Sequence, residues 1–175
     1  MSELTDFRAA KDRFFSQNHH SPLLPEQRKH FHHLEYYAEN PAMQLVLQLN
    51  EFPGAEKEQI EMLTSTGDSR PHIRWGTFTF SVEGESATLT VYKGSGEEDY
   101  FLPFADATTG DETYDAGRYL DLEPLGNGDF LLDFNYAYNP YCAYNPQWSC
   151  PIPPAENRLK VAIRAGEKRF PGAAH

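Results

Sequence analysis

Two carboxylates, Glu112 and Glu156, and one guanidinium, Arg118, stand in the two stretches that least resemble strand or helix: FADATTGDETYDAGRY (104–119) and YAYNPYCAYNPQWSCPIPPAENRL (136–159). A carboxyl in a cleft acts as general acid or base once burial or a like charge moves its pKa. An arginine in the same cleft holds an anionic group with its planar fork. That set would describe a hydrolase or lyase. The same residue types also make turns and braces. Asp106 and its neighbouring threonines suit bonds to local backbone amides, and Arg118 suits an internal pair with Asp133 or Glu156. Glu112 stands level between the two readings.

The second stretch carries different chemistry. Ala-Tyr-Asn-Pro occurs twice, six residues apart, at 137–140 and 143–146. Proline forces the preceding residue extended, asparagine bonds nearby backbone, and a buried tyrosine hydroxyl needs a partner. The segment therefore reads as a self-packed clamp forming one wall of a cavity. Tyr114, Arg118, Asn135, Asn139, Tyr144, Asn157 and Arg158 are the candidate ligand-binding residues, and the ligand class they suit is a small polar or aromatic molecule. Cys142 and Cys150, in Cys-x7-Cys spacing, are a structural pair, either two small buried thiols or a disulfide, with their side chains close together.

Metal and cofactor signals are weak. Two cysteines without nearby histidine do not complete a zinc site. Asp106 to Glu112 has the outline of a calcium loop without its other acidic ligands. His19, His20, His30, His32 and His33 cluster in sequence, as scattered surface histidines also do. There is no Gly-x-Ser-x-Gly, phosphate-cradling glycine loop or dinucleotide fingerprint. No metal and no cofactor is expected.

Net charge is −11, from 26 acidic against 15 basic residues. Nucleic acid and anionic membrane both demand a basic surface, so neither is expected as a partner. The acidic start, Met-Ser-Glu-Leu-Thr-Asp, is unlike a signal peptide, which makes a cytoplasmic location the expectation.

The elements that must position these residues follow from periodicity. Residues 3–17 read as a helix with Leu4, Phe7, Ala10 and Phe14 on its apolar line. A second helix starts with Pro25 at its first position, and Asn40-Pro41 ends the helical part. Period-two alternation then marks strands near 44–50, 59–64, 77–82, 88–92, 100–104, 119–123, 130–135 and 159–163, punctuated by turns at Pro53-Gly54, Thr66–Ser69, Glu83–Glu85, Gly94-Ser95-Gly96 and Gly126–Gly128. The expected fold is a single domain, 1–175, mainly β: an N-terminal helical segment (1–40) and an antiparallel body (43–164) closed into a barrel or strongly curved sheet, a sandwich being the alternative. If 119–135 is one hairpin, loops 104–118 and 136–158 emerge at the same end of the sheet.

The runs PFADATTGDETYDAGRYLDL, DFNYAYNPYCAY and CPIPPAENRL, followed by AGEK at 165–168, and the earlier SPLLPEQRKHFHHLEYY, resemble the family catalogued as domain of unknown function 1684. The resemblance implies no activity. It places the acidic, tyrosine, asparagine, arginine and cysteine candidates named above on the family's pattern and leaves the histidines off it. Three functions stay open: a small-molecule-binding module, a hydrolase or lyase using Glu112 or Glu156 with Arg118 on an anion, and a structural or interaction protein.

Overall fold

The computed structural model describes residues 2–94 and 99–172. Ser95 and Gly96 of the expected Gly94-Ser95-Gly96 turn lie outside the described residues. Helix α1 spans Glu3–Gln17, with Ser2 as its N-cap accepting from the Thr5 amide. Its inner face follows only part of the apolar line, through Leu4 and the half-buried Phe14. Leu4 and Phe15 are buried, Phe7 is 45% exposed and Ala10 is exposed. The helix also docks through the intervening charged stripe. Arg8 donates to the carbonyls of Tyr37 and Asn135, Lys11 pairs with Glu167, and Asp12 accepts from the Leu34 amide. Charged partners waiting in the body outweigh the apolar periodicity. Helix α2, Pro25–His30, starts at its proline as expected. After it, Asn40 caps a short turn of 3-10 helix, Pro41–Met43.

Among the described residues, nine strands make two antiparallel sheets. The larger is built from β2 (Asn50–Glu51), β3 (Gln59–Leu63), β4 (Ser69–Val82), β5 (Glu85–Gly94), β6 (Tyr100–Phe104) and β7 (Arg118–Leu120). Its order is β2-β4-β5-β6-β7, with β3 also on β4. The smaller has β9 (Asp129–Asp133) between β1 (Gln44–Gln48) and β8 (Glu123–Gly126). One core joins them. Phe78, Leu89, Leu102 and Phe104 from the large sheet share a cluster with Phe130 and Leu132 from the small one. Phe78 and Phe130 meet at 5.5 Å, edge to face.

The chain is thus mainly β and antiparallel, but no sheet closes into a barrel. It changes sheets between β1 and β2, where the Leu49 amide donates to the Gly128 carbonyl, and again between β7 and β8. These corners leave two open sheets where a barrel would have continuous ladders. The expected 119–123 strand is therefore split. Its start pairs with β6, and the chain from Glu123 pairs with β9. The expected 159–163 strand is not a strand at all. Its alternate residues are buried, with Val161 and Ile163 in the core, but its peptide groups are held by single loop amides, carbonyls and side chains.

Loops 104–118 and 136–158 nonetheless meet, though not through one hairpin. Tyr119 and Tyr138 exchange both backbone hydrogen bonds, at 2.8 and 2.9 Å, and Ala105 bridges the Asn157–Leu159 backbone. Gly117 lies at this junction with φ +96°, where a Cβ would fall 2.5 Å from the Phe104 carbonyl oxygen and 3.0 Å from Pro153 Cγ. Gly117→Ala is expected to lower stability by about 2–3 kcal/mol, from backbone strain plus the clash. Gly84→Ala has a similar φ of +85° but nothing within 4 Å of its Cβ, and should cost only about 1 kcal/mol. Urea midpoints of the two variants measure the difference.

Candidate functional site

Arg118 is fully buried at 0% exposure. Its Nη1 donates to the carbonyls of Ala165 at 2.6 Å and Glu167 at 3.1 Å, and its Nη2 donates to the Ile163 carbonyl at 2.8 Å. The Asp106 carboxylate lies 3.6 Å away, equally buried. Burial pulls the guanidinium below its ordinary pKa, and the negative charge of Asp106 opposes that shift. The brace reading of Arg118 holds, with Asp106 as its acid in place of Asp133 or Glu156. Asp106 also accepts from the Thr108 and Thr109 hydroxyls and the Ile163 amide. Among the described residues the Arg118 Nε has no hydrogen-bond partner, but the side chain is wholly buried and so does not open to solvent.

The asparagines follow the same rule. Asn135 accepts from the Asn40 amide at 2.8 Å and donates to the Asn40 carbonyl at 2.9 Å. Asn157 accepts from the Thr90 amide at 2.8 Å and donates to the carbonyls of Thr90 and Pro103, both at 2.7 Å. It fills the gap where β5 and β6 part beyond Tyr92–Phe101, beside a proline that has no N–H to offer. Asn139 and Tyr144 are buried around Glu167, whose Oε1 accepts from the Asn139 amide at 3.0 Å and the Tyr144 hydroxyl at 2.8 Å. Arg158 is exposed.

Glu112 and Glu156 lie apart, each with its own partners. Glu112 accepts from the Tyr37 hydroxyl at 2.7 Å and pairs with Arg164 at 3.3 Å, and these two contacts hold its carboxyl below the ordinary range. The same contact, after burial, pushes Tyr37 up to about 12. Glu156 receives a bidentate fork from Arg74, at 3.0 and 2.9 Å, and the Tyr92 hydroxyl. Burial pushes its pKa up, but these hydrogen bonds together bring it below the usual value. A general acid near neutrality needs the opposite displacement.

Cys142 and Cys150 are adjacent, as the spacing implied. The Cys150 thiol is raised well above its ordinary pKa, first by its hydrogen bond with Cys142 and then by burial. The Tyr114 hydroxyl donates to Cys142 Sγ at 3.5 Å. Both cysteines pack with Tyr119, Phe101 and Tyr141. A thiol held protonated among rings is a packing group and a poor nucleophile. Among the described residues, no three His, Cys, Asp or Glu side chains converge as a metal set would require.

One concavity uses the clamp as its wall in a way the candidate residues did not foretell. Tyr136 and Tyr138, either side of buried Ala137, open with Phe7 of α1 and Leu131 of β9 onto a groove of about 510 Å³. Phe7 and Tyr136 stand edge to face at 4.9 Å, and Tyr138 donates to Asp121 at 2.9 Å. Sequence signals existed for it. Phe7 was an apolar residue on the helix, and Tyr136 and Tyr138 alternate about Ala137 so that they share a side. Other hollows include one of about 590 Å³ formed by α2 with Phe170–Gly172 and one of about 460 Å³ formed by Arg70–His72 with Tyr100–Phe101.

The sequence profile described as "Protein of unknown function (DUF1684)" matches residues 29–168. The chain belongs to that family. It is similar to the solution NMR structure of the uncharacterized protein from gene locus rrnAC0354 of Haloarcula marismortui, at 38% identity and TM-score 0.71, over 95% of this chain and 92% of that one. No curated protein matches it.

Two outcomes follow for the buried set. Arg118→Met is expected to cost about 3–5 kcal/mol by leaving Asp106 uncompensated, and Arg118→Lys should fall well short of wild type, because an ammonium cannot reach all of those acceptors. Arg158→Ala should stay within about 0.5 kcal/mol, all read by chemical denaturation. The Glu156 carboxylate has a depressed native pKa, so its contribution is present above the ordinary carboxylate range and is lost as pH falls through the native value. Glu156→Gln should therefore flatten the acid limb of the urea midpoint plotted against pH.

Proposed function

We propose that this DUF1684 protein is a small-molecule-binding module whose site is the groove between the start of α1, the outer face of the small sheet and the Tyr136–Tyr138 edge of the clamp. The carrying observation is the concavity itself. Its volume of about 510 Å³ falls in the ordinary range of ligand sites. The aromatic and aliphatic side chains of Phe7, Leu131, Tyr136 and Tyr138 form its floor, and polar groups form its rim. Phe7 is left 45% exposed there, a large apolar side chain on the groove. The opposite face of the small sheet is committed to the core through Phe130 and Leu132, so the floor is rigid.

The reading keeps the aromatic ligand class expected from the clamp and moves the site. Asn135, Asn139, Asn157 and Arg118 serve as the scaffold behind it. Nucleic acid and anionic membrane are not part of the proposal, in keeping with the net charge of −11, and a cytoplasmic role goes with it. No helix among the described residues is long and apolar enough to cross a membrane.

The test is a nuclear magnetic resonance titration of labelled protein with small aromatic probes such as indole. Shifts should concentrate at Phe7, Leu131, Tyr136 and Tyr138, and Tyr136→Ser should weaken binding at least about threefold, the loss of roughly one stacking contact. Shifts confined to other surfaces would overturn the assignment.

A further inference from the structure

The groove's floor is aromatic, but its rim has only one sign of charge. Glu3, Asp121, Glu123 and Asp133 border it, and among the described residues no lysine, arginine or histidine does. The nearby cations do not line the groove and already have partners, one of them a groove residue: the Lys11 ammonium stands 5.2 Å over the Tyr138 ring. Arg8 donates to the carbonyls of Tyr37 and Asn135 and stacks on Tyr36, and Lys11 pairs with buried Glu167.

The rim acids divide by occupation. Asp133 accepts from the Asn135 amide and side chain, and Asp121 accepts from the Tyr138 hydroxyl. Glu3 and Glu123 are exposed, and among the described residues neither has an ion pair. Tyr136 reports the resulting field. Its hydroxyl is raised by burial and then by the charges of Glu3 and Asp133. Tyr138 is raised likewise, by burial and then by Asp121.

We infer that the ligand is a small organic cation, an aromatic or aliphatic amine whose apolar body lies on Phe7, Leu131 and Tyr136 and whose ammonium group faces Glu3 and Glu123. This rests on the proposed binding site and adds its chemical class. Three features select the cation. A tyrosine face attracts an ammonium through its quadrupole. Exposed carboxylates on a concave, low-dielectric floor concentrate positive charge and repel anions. The apolar floor contributes burial that a simple metal ion would not use.

The experiment titrates labelled protein at low ionic strength with three matched probes: 2-phenylethylamine, 2-phenylethanol and phenylacetate. Shifts at Tyr136, Tyr138, Leu131 and Phe7 should give the amine an affinity about five- to tenfold above the alcohol, the sum of cation–π and exposed ion-pair contributions. Phenylacetate should leave the groove unshifted. Salt at about 0.5 M should shrink the amine's advantage, since exposed charges are then screened within a few ångströms. The double variant Glu3→Gln/Glu123→Gln should lose most of that advantage, keep alcohol binding and stay folded, because neither carboxylate has an ion pair among the described residues and Glu3 contributes only a first-turn charge to α1. Equal binding of amine and alcohol would overturn the cation inference and leave the aromatic site standing. Failure of all three probes to shift the groove would overturn both.

Discussion

A single buried guanidinium holds the far end of this chain in place. Arg118 grips the carbonyls of residues 163, 165 and 167, and its companion Asp106 grips the amide of residue 163. Without them a segment with no strand partner would bring several peptide groups into the core unsatisfied, each at about 1–3 kcal/mol. With them, the segment runs through the core as a packed thread. Gly166, at φ +83°, lets that thread approach to where a Cβ would stand 2.7 Å from the carbonyl oxygens of Phe134 and Ala137. Glu167 then becomes a second hub, tying α1 through Lys11 and the clamp through Asn139 and Tyr144. Helix, clamp and tail are therefore one connected assembly, and its origin is the ion pair between Arg118 and Asp106.

That connection explains why the ligand-like residues were legible as a group and misassigned in role. Arginine, asparagine and tyrosine recognise a small polar molecule with the same hydrogen bonds they use on a peptide group. Asn135 against Asn40, Asn157 against Thr90 and Pro103, and Arg118 against three carbonyls are all recognition of a backbone, and the backbone is the protein's own. A sequence displays the donors and acceptors but not whether the partner is a ligand or residue 163. Burial separates the two cases, and burial of a polar side chain depends on tertiary contacts across tens of residues. Cys142 and Cys150 were placed close together correctly because their spacing and the stiff loop between them are local facts.

The fold divides along the same line. Strand β4 was legible over Thr77–Val82, where period two is clean, and its first half was not, because Pro71 and Gly76 interrupt the pattern. Tertiary pairing with β3 and β2 makes that half a strand all the same. The helix α1 was read to its ends, but its docked face was misjudged, since Arg8, Lys11 and Asp12 face inward only because Tyr37, Glu167 and Leu34 are there to receive them. Closure was the remaining error. Short alternating strands announce edges that need covering, and both a barrel and two sheets around one core satisfy that demand. The corners at Leu49 and at Asp121–Leu122 decide between them, and neither corner carries a glycine or proline to advertise it.

The groove is a consequence of the same grip, reached through geometry rather than composition. Ala137 is 1% exposed because the Gly166 turn presses against it, and the Glu167 amide donates to its carbonyl at 2.9 Å. Ala137 follows the short 3-10 turn Phe134–Tyr136, and with its side chain pinned inward Tyr136 and Tyr138 on either side of it line the groove with Phe7 and the small sheet. Tyr138 is fixed further by its backbone exchange with Tyr119, next to Arg118 itself. The aromatic wall is therefore held by the tail, and the tail by Arg118, while the acidic rim at Glu3 and Glu123 belongs to the exposed ends of α1 and β8. In the proposed site, a floor packed on the core would select shape, and the exposed carboxylates of the rim would select charge. Changes in that rim would then alter charge preference without disturbing the assembly that builds the groove.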